Sequence, residues 1–447
     1  MHEIEIPVST SFDEAVETFL AELREWAWQC VREHDASGPN DGHDQVNFTL
    51  AWEPLFLAGE RDLLAVMTRW RDEIRDCHVA SGGWHHGYWR RQEAHHGTEH
   101  FGLFLATLHR LAPDDQGTRD QIRDACEHLG NWVPDIPAWF DWSTGLFRSM
   151  WLGTSEVREE PGFGANVADH MRLVTLALLA HEALGEERYL TLAEMHAGHW
   201  ADAIIDGPCL PAALLPSGPL YAADEELQAH YQFVGMAGTL ADDVDRAENL
   251  LASGAIDAFL SLHRLTGEER WLEASRRLLD VLVTQIGDPD AGAAVQALMQ
   301  YREEEWDLRY DDALKEAYDR LVWAPRTLGV EPMKREGPRP SGIGKRSDKP
   351  EWFEDGEPRR LSPVLVAAAA ELLENEELAR EAVDLARAYF ALGRQALTGD
   401  RRHACGANSD ASVARGHGRE NNVGMATGVL LPLMQCFGDD GEGWPDA

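Results

Sequence analysis

The chain has 447 residues, and its 78 Asp and Glu outnumber its 40 Lys and Arg, giving a formal charge of −38. So acidic a surface repels DNA, RNA and anionic membranes, all of which need a basic face. Hydrophobic residues make up 44% of the chain, including 16 Trp and 14 Phe, which excludes intrinsic disorder and supplies a large core.

The lysines are only Lys315, Lys334, Lys345 and Lys349. An acid excess with Arg in place of Lys is the composition of a halophilic protein, and equally of one coded by a GC-rich genome. The N-terminal stretch has no basic start and no apolar run, so a secretory signal is not expected. No apolar run of about 18 residues occurs, so no membrane span is expected. Cys30, Cys77, Cys126, Cys209, Cys405 and Cys436 are scattered without close pairs. That spacing predicts a reduced, cytoplasmic protein rather than a disulfide scaffold or a Cys-rich zinc module.

In chain order, an amphipathic helix over 12–33 comes first, with no helix before it to pair with. A repeated pattern then sets in: an apolar helix, a short acidic turn, and an amphipathic helix. FTLAWEPLFL precedes the amphipathic stretch 57–74, ADHMRLVTLALLAHEA precedes 184–200, SGAIDAFLSLHRL precedes 265–283, and PVLVAAAAELL precedes 373–390. Similar pairs are read at 98–132 and 291–322, and an unpaired helix at 422–436 ends the series. The first helix of each pair is apolar nearly all round and so buried; the second has one apolar stripe and one charged face. Strand-like alternation is almost absent. The predicted fold is therefore all-α, a single (α/α)6 or (α/α)7 barrel (toroid) of inner and outer helices over 1–447, closed by its two unpaired end helices. An open solenoid of hairpins is the structural rival.

Turns from inner to outer helix are short. The returns, at about 35–47, 79–97, 133–165, 205–247, 324–361 and 395–421, are long and chemically rich. In a barrel they emerge at one mouth, and long loops on a rigid scaffold are where function concentrates. The first return offers Asp44 beside glycines, as a carboxylate for chemistry or as a turn former. The second, GGWHHGYWRRQEAHHGTEHFG, holds His85, His86, His95, His96, Tyr88 and Glu99 as proton-transfer candidates. Its Trp84, Trp89 and Arg90 offer flat apolar faces and a cation for a sugar. The alternatives are a zinc site and loop histidines that merely satisfy backbone; there is no H-E-x-x-H pattern and no nearby Cys pair. In the third return Asp141 lies between Phe140 and Trp142, near Arg148. Aromatic neighbours would desolvate it and raise its pKa, making it a general-acid candidate; the alternative is an N-cap. The fourth return holds His230 and Tyr231, then Asp242, Asp243 and Asp245, which either cap the next helix or hold a cation. The fifth, rich in Pro and Gly, carries three of the four lysines and reads as a basic flap over 324–361 that would attract an anion. The sixth is dense in groups that bind carboxylates and hydroxyls: His403, His417, Arg419, Asn421 and Asn422. No cofactor is predicted, with zinc or calcium as the alternatives at the histidine and aspartate clusters.

On these helix pairs, G-E-E-R turns, and aromatic and histidine-rich mouth loops, the chain resembles the (α/α) toroid, or six-hairpin, superfamily of carbohydrate-active enzymes. That superfamily includes unsaturated glucuronyl hydrolases and glucuronidases, polysaccharide lyase catalytic domains and sugar epimerases. The resemblance covers nearly the whole length but is one of architecture, and no motif carries over a particular catalytic residue. It implies a glycoside hydrolase acting on uronic-acid-containing oligosaccharides, with carboxylates drawn from Asp44, Glu99 and Asp141. The alternative is a lyase in which His or Tyr from 85–96 abstracts a proton and Asn or Arg neutralises the sugar carboxylate. A non-catalytic helical-repeat interaction protein is the reading from a different class. The expected partner is an anionic oligosaccharide, with no nucleic acid and no membrane; a homo-oligomer is compatible with the sequence.

Overall fold

A computed structural model describes residues 1–38, 47–85, 88–89, 103–233, 239–321, 324–332, 350–397, 409–417 and 422–438. Its internal contacts divide the chain into two compact units. One comprises Met1–Met67, Val283–Pro338 and Arg346–Ala447; the other comprises Thr68–Leu282 and Arg339–Lys345. The fold class is all-α, built from the expected pairs of inner and outer helices. No described helix is long and apolar enough to cross a membrane.

In the second unit, the helix Met171–Leu184 packs on Glu187–Asp206, and Ala255–Thr266 packs on Glu269–Leu282. Inner lies beside inner and outer beside outer, because Met171–Leu184 also meets Ala255–Thr266 and Glu187–Asp206 also meets Glu269–Leu282. The inner helices turn apolar residues to several sides: Met171, Leu173, Val174, Leu176, Ala177 and Leu178 are all buried. The tight turns end in glycines with left-handed backbone, Gly185 at φ 69° and Gly267 at φ 72°, a conformation that costs glycine little. The helix Gln116–Cys126, which Asp115 caps by accepting from the Thr118 amide at 2.7 Å, packs on Met171–Leu184.

In the first unit, the helix Pro363–Leu372 is buried at every position from Pro363 to Ala370 and packs on the outer helix Glu376–Ala396. The helices Gly292–Glu305 and Asp311–Arg320 pack against the same inner helix. The two unpaired end helices meet here. Phe12, at the start of Phe12–Ser37, lies 5.7 Å from Phe437 of the last helix, Leu431–Phe437. Phe19 and Trp26 each lie 5.6 Å from Phe390 of the outer helix. Aromatic pairs at these separations add to the area they bury, by about 0.5–1.5 kcal/mol each.

The departure from the helical reading is in the returns, which carry short strands. In chain order the described strands are β1 His2–Glu5, β2 Trp84–His85, β3 Tyr88–Trp89, β4 Phe140–Asp141, β5 Leu146–Phe147, β6 Ala213–Leu215, β7 Gly218–Leu220, β8 Thr327–Glu331, β9 Glu351–Glu354, β10 Glu357–Pro358, β11 Gly416–His417 and β12 Asn422–Val423. Four antiparallel hairpins, β2–β3, β4–β5, β6–β7 and β11–β12, occupy four of the returns, and one antiparallel sheet has the order β1-β8-β9-β10. Two- and three-residue strands are too short to show an alternation of period two, so sequence pattern misses them.

That sheet reshapes the reading of the fifth return. The ends of 324–361 are sheet strands: β8 pairs with the N-terminal strand β1, β9 pairs with β8, and β10 with β9. Among its basic residues, Arg359 is tied to the Asp290 carboxylate and to the Pro289 carbonyl at 2.5 Å. Glu354 is fully buried, and its carboxyl accepts from the Arg360 amide at 3.2 Å and the Tyr389 hydroxyl at 3.4 Å. Arg359 therefore anchors the base of the return. Lys334, Arg335, Arg339, Lys345, Arg346 and Lys349, the bulk of the expected basic flap, lie outside the described residues.

Candidate functional site

Three returns of the second unit carry described candidates. The second begins where the helix Asp62–Ser81 ends. The buried His78 ring stacks on Trp84, with centroids 4.3 Å apart and planes 9° apart. This contact seats the β2–β3 hairpin, whose register pairs Trp84 with Trp89 and His85 with Tyr88. His85 Nε2 lies 3.7 Å from the Asp135 carboxylate, with the two side chains 27% and 57% exposed. At that distance the contact is electrostatic rather than a short hydrogen bond. The pair sets a carboxylate beside a partly exposed imidazole.

Asp135 was not among the sequence candidates. Its signal is the stretch Val133-Pro134-Asp135-Ile136-Pro137, in which two prolines stiffen the backbone around one acid. Just before it, Asn131 adopts a left-handed backbone at φ 62° and braces the start of the third return. Its side-chain oxygen accepts from the Trp139 and Phe140 amides at 2.8 and 3.1 Å, and its amide donates to the Phe140 carbonyl at 2.6 Å.

Asp141 departs from expectation. Its carboxylate accepts from the Ser143 amide at 2.9 Å and the Ser143 hydroxyl at 2.6 Å. These hydrogen bonds hold its pKa below the usual carboxylate range, the opposite of the predicted rise. Desolvation still pushes it up, but less than the two Ser143 bonds pull it down. A carboxyl held ionised in this way is a turn former, not a general acid. Trp142 remains partly exposed, and Arg148 pairs with Glu159 at 3.1 Å.

Asn166 joins the third and fourth returns. Its side chain accepts from the Phe147 amide at 2.9 Å and donates to the Phe147 carbonyl at 2.7 Å; its backbone exchanges hydrogen bonds with Leu214 at 2.8 and 2.7 Å. The next buried histidine, His170, accepts from the Val167 amide on Nδ1 at 3.0 Å. Its Nε2 therefore carries the proton and donates to the Ser149 carbonyl at 2.9 Å. Burial holds its pKa below the ordinary histidine value, so this ring is a neutral structural member.

Tyr231 of the fourth return is not open to a ligand: it is 2% exposed and packs in a core with Met150, Phe163, Val167, Leu227 and Leu240. His230 packs its ring against Gly162, whose φ of +95° and lack of a Cβ make the approach possible. Asp242 caps the helix Asp243–Ala252, accepting from the Asp245 amide at 3.0 Å, and Asp243 accepts from the Leu210 amide at 3.1 Å. The aspartate knot is thus capping, not a cation cluster, and among the described residues no group of three metal-ligating side chains converges.

In the first unit, the β11–β12 register sets His417 opposite Asn422. The preceding short helix Asp410–Arg415 starts at Ser409, and its buried Asp410 accepts from the Trp26 indole at 3.0 Å. Asp44, His86, Arg90, His95, His96, Glu99, His403, Arg419 and Asn421 lie outside the described residues, as do the side chains of Tyr88, Trp89, His417 and Asn422.

No protein-family model matches the chain, and no curated protein matches it. Among solved structures, cellobiose 2-epimerase from Spirochaeta thermophila DSM 6192 aligns with a TM-score of 0.45 and 15% identity, over 83% of this chain and 97% of that one.

Proposed function

We propose that the chain is a carbohydrate-active enzyme that processes uronate-containing oligosaccharides by proton transfer, with His85 as the transferring group. The observation that carries this reading is the His85–Asp135 pair, a partly exposed imidazole with a carboxylate at its back on a hairpin seated by the Trp84–His78 stack. Such a histidine can take a proton from the carbon next to a sugar carboxylate, the abstraction step that elimination and epimerisation share.

The test is incubation with a panel of uronate oligosaccharides, reading product mass and the ultraviolet absorbance of an unsaturated uronate. A product lighter by one leaving fragment with new absorbance means elimination. Unchanged mass in ordinary water, with one carbon-bound proton exchanged for deuterium when the solvent is deuterated, means epimerisation. Addition of water without absorbance replaces the proposal with hydrolysis. His85→Asn abolishes turnover if the reading is right; full activity of this variant across the panel discards it.

A further inference from the structure

We propose that Trp142 is a sugar-stacking subsite, presenting its indole face to a pyranose ring of the oligosaccharide. The proposal rests on the carbohydrate reading above, but it concerns binding rather than proton transfer.

Several restraints fix the position of this one residue. The loop Trp142–Gly145 that joins β4 to β5 is locked by Asp141, which accepts from Ser143 twice, and by the Gly145 amide, which donates to the Asp141 carbonyl at 2.8 Å. Gly145 has φ +72°, and a Cβ there would meet His199 and Met195, so the loop lies directly on the outer helix Glu187–Asp206. The Trp142 indole nitrogen donates to the Gly130 carbonyl at 3.0 Å. Its ring meets Phe140 edge-on at 5.0 Å and tilts against Trp132 at 6.1 Å.

Neighbouring aromatics are already committed. Trp139, Phe140, Phe147 and Tyr189 are buried. Trp132 carries the Arg188 guanidinium over its ring at 4.6 Å. Trp142 is 38% exposed, with its polar atom satisfied by protein. What it offers to solvent is therefore apolar ring surface on an indole anchored by its own nitrogen. Leaving such a face in water forfeits burial of a large aromatic, whereas a preorganised ring binds with little loss of conformational freedom. The C–H face of a pyranose is an apolar surface that packs on an aromatic ring without needing a hydrogen bond from it.

The experiment is isothermal titration of the full chain with a β-linked glucuronate tetramer and its neutral glucose counterpart. Trp142→Ala lowers affinity about tenfold, and Trp142→Phe, which keeps a ring but loses the Gly130 bond, lowers it about threefold. The wild-type urea midpoint in both variants shows that the loop is intact. Equal binding by Trp142→Ala and wild type overturns the subsite and leaves the carbohydrate reading standing. A Phe variant as weak as the Ala variant also overturns it, by assigning the loss to the Gly130 bond. If the wild type binds neither tetramer, the carbohydrate reading fails and the subsite with it.

Discussion

His196 donates its Nδ1 proton to the Gly145 carbonyl at 3.3 Å, so a buried histidine of the outer helix Glu187–Asp206 holds the turn of the β4–β5 hairpin. Its Nε2 has no hydrogen-bond partner among the described residues, and its ring lies 4.8 Å from Phe147 and 6.1 Å from His170. Burial, with His170 beside it, pushes its pKa well below 6.5. Below pH 6.5 the unfolded chain takes up a proton that the folded ring refuses. Stability from this group is therefore complete above pH 6.5 and falls as pH drops, by up to about 1.4 kcal/mol per pH unit. Repulsion within a chain of charge −38 eases over the same range and opposes the loss. The prediction is therefore a difference. Urea unfolding at pH 7.5 and 5.5 loses less stability in His196→Asn, whose amide can still donate to Gly145, than in the wild type. Parallel losses in both proteins would mean that His196 is not held neutral.

Asn166 and Phe147 are joined by two side-chain hydrogen bonds in a buried setting. Removing them leaves the Phe147 amide and carbonyl buried without partners, each costing about 1–3 kcal/mol. Asn166→Ala should therefore lose about 2–4 kcal/mol by denaturant titration, and limited proteolysis should cut first within 142–165. Asn166→Asp restores only the acceptor half and should fall between Ala and the wild type.

The helix pairs were legible because their signal is long: from Pro363 to Ala370 the chain is apolar, and the helix Glu376–Ala396 repeats its buried positions at helical spacing. The hairpins were not, because β2–β3 and β4–β5 are two residues per strand and depend on tertiary seating by His78 and His196. His85 stood out in the sequence through its histidine-rich neighbourhood, whereas its partner Asp135 lies 50 positions along the chain in an unremarkable proline-flanked segment. Asp141 was misread in its electrostatics. Sequence adjacency to Phe140 and Trp142 suggested desolvation, but Ser143, two positions on, decides its pKa. Tyr231 fails for a similar reason, since a polar tip in a loop-rich segment gives no hint of the core around it.

Glu371, at the end of the inner helix Pro363–Leu372, is pushed up to about 7 by burial and by the nearby Glu303 carboxylate. Its folded pKa is raised above the unfolded 4.5. Its stability contribution is therefore complete below pH 4.5 and is lost as pH rises to about 7. Glu371→Gln should then be more stable than the wild type at pH 8, by on the order of 1–2 kcal/mol, with the gain vanishing at pH 4.5. A constant difference between the two proteins across this range would show that the carboxyl is not displaced.

Asp141→Asn separates the two roles once open to that residue. Asparagine still accepts from Ser143 and keeps the loop, but it cannot serve as an acid. Turnover should stay within severalfold of wild type, while Asp141→Ala, which frees the loop carrying Trp142, should raise KM. A loss of more than about a hundredfold in kcat for Asp141→Asn, the scale of a missing general acid, would return this residue to the chemistry.

Asp135 makes the sharpest demand on the proposed mechanism, because it touches His85 and need not touch substrate. With the carboxylate present, proton uptake by His85 creates an imidazolium beside a negative charge. In Asp135→Asn that charge is gone and the ring keeps only a neutral neighbour. The side chain is more than half exposed, so solvent already screens the pair and the effect is moderate, about tenfold in kcat rather than the near-complete loss expected for His85→Asn. KM should change little, because substrate contacts are untouched. Asp135→Glu, which keeps a carboxylate near the ring, should restore part of the rate. Full kcat in Asp135→Asn would mean that His85 has its partner elsewhere.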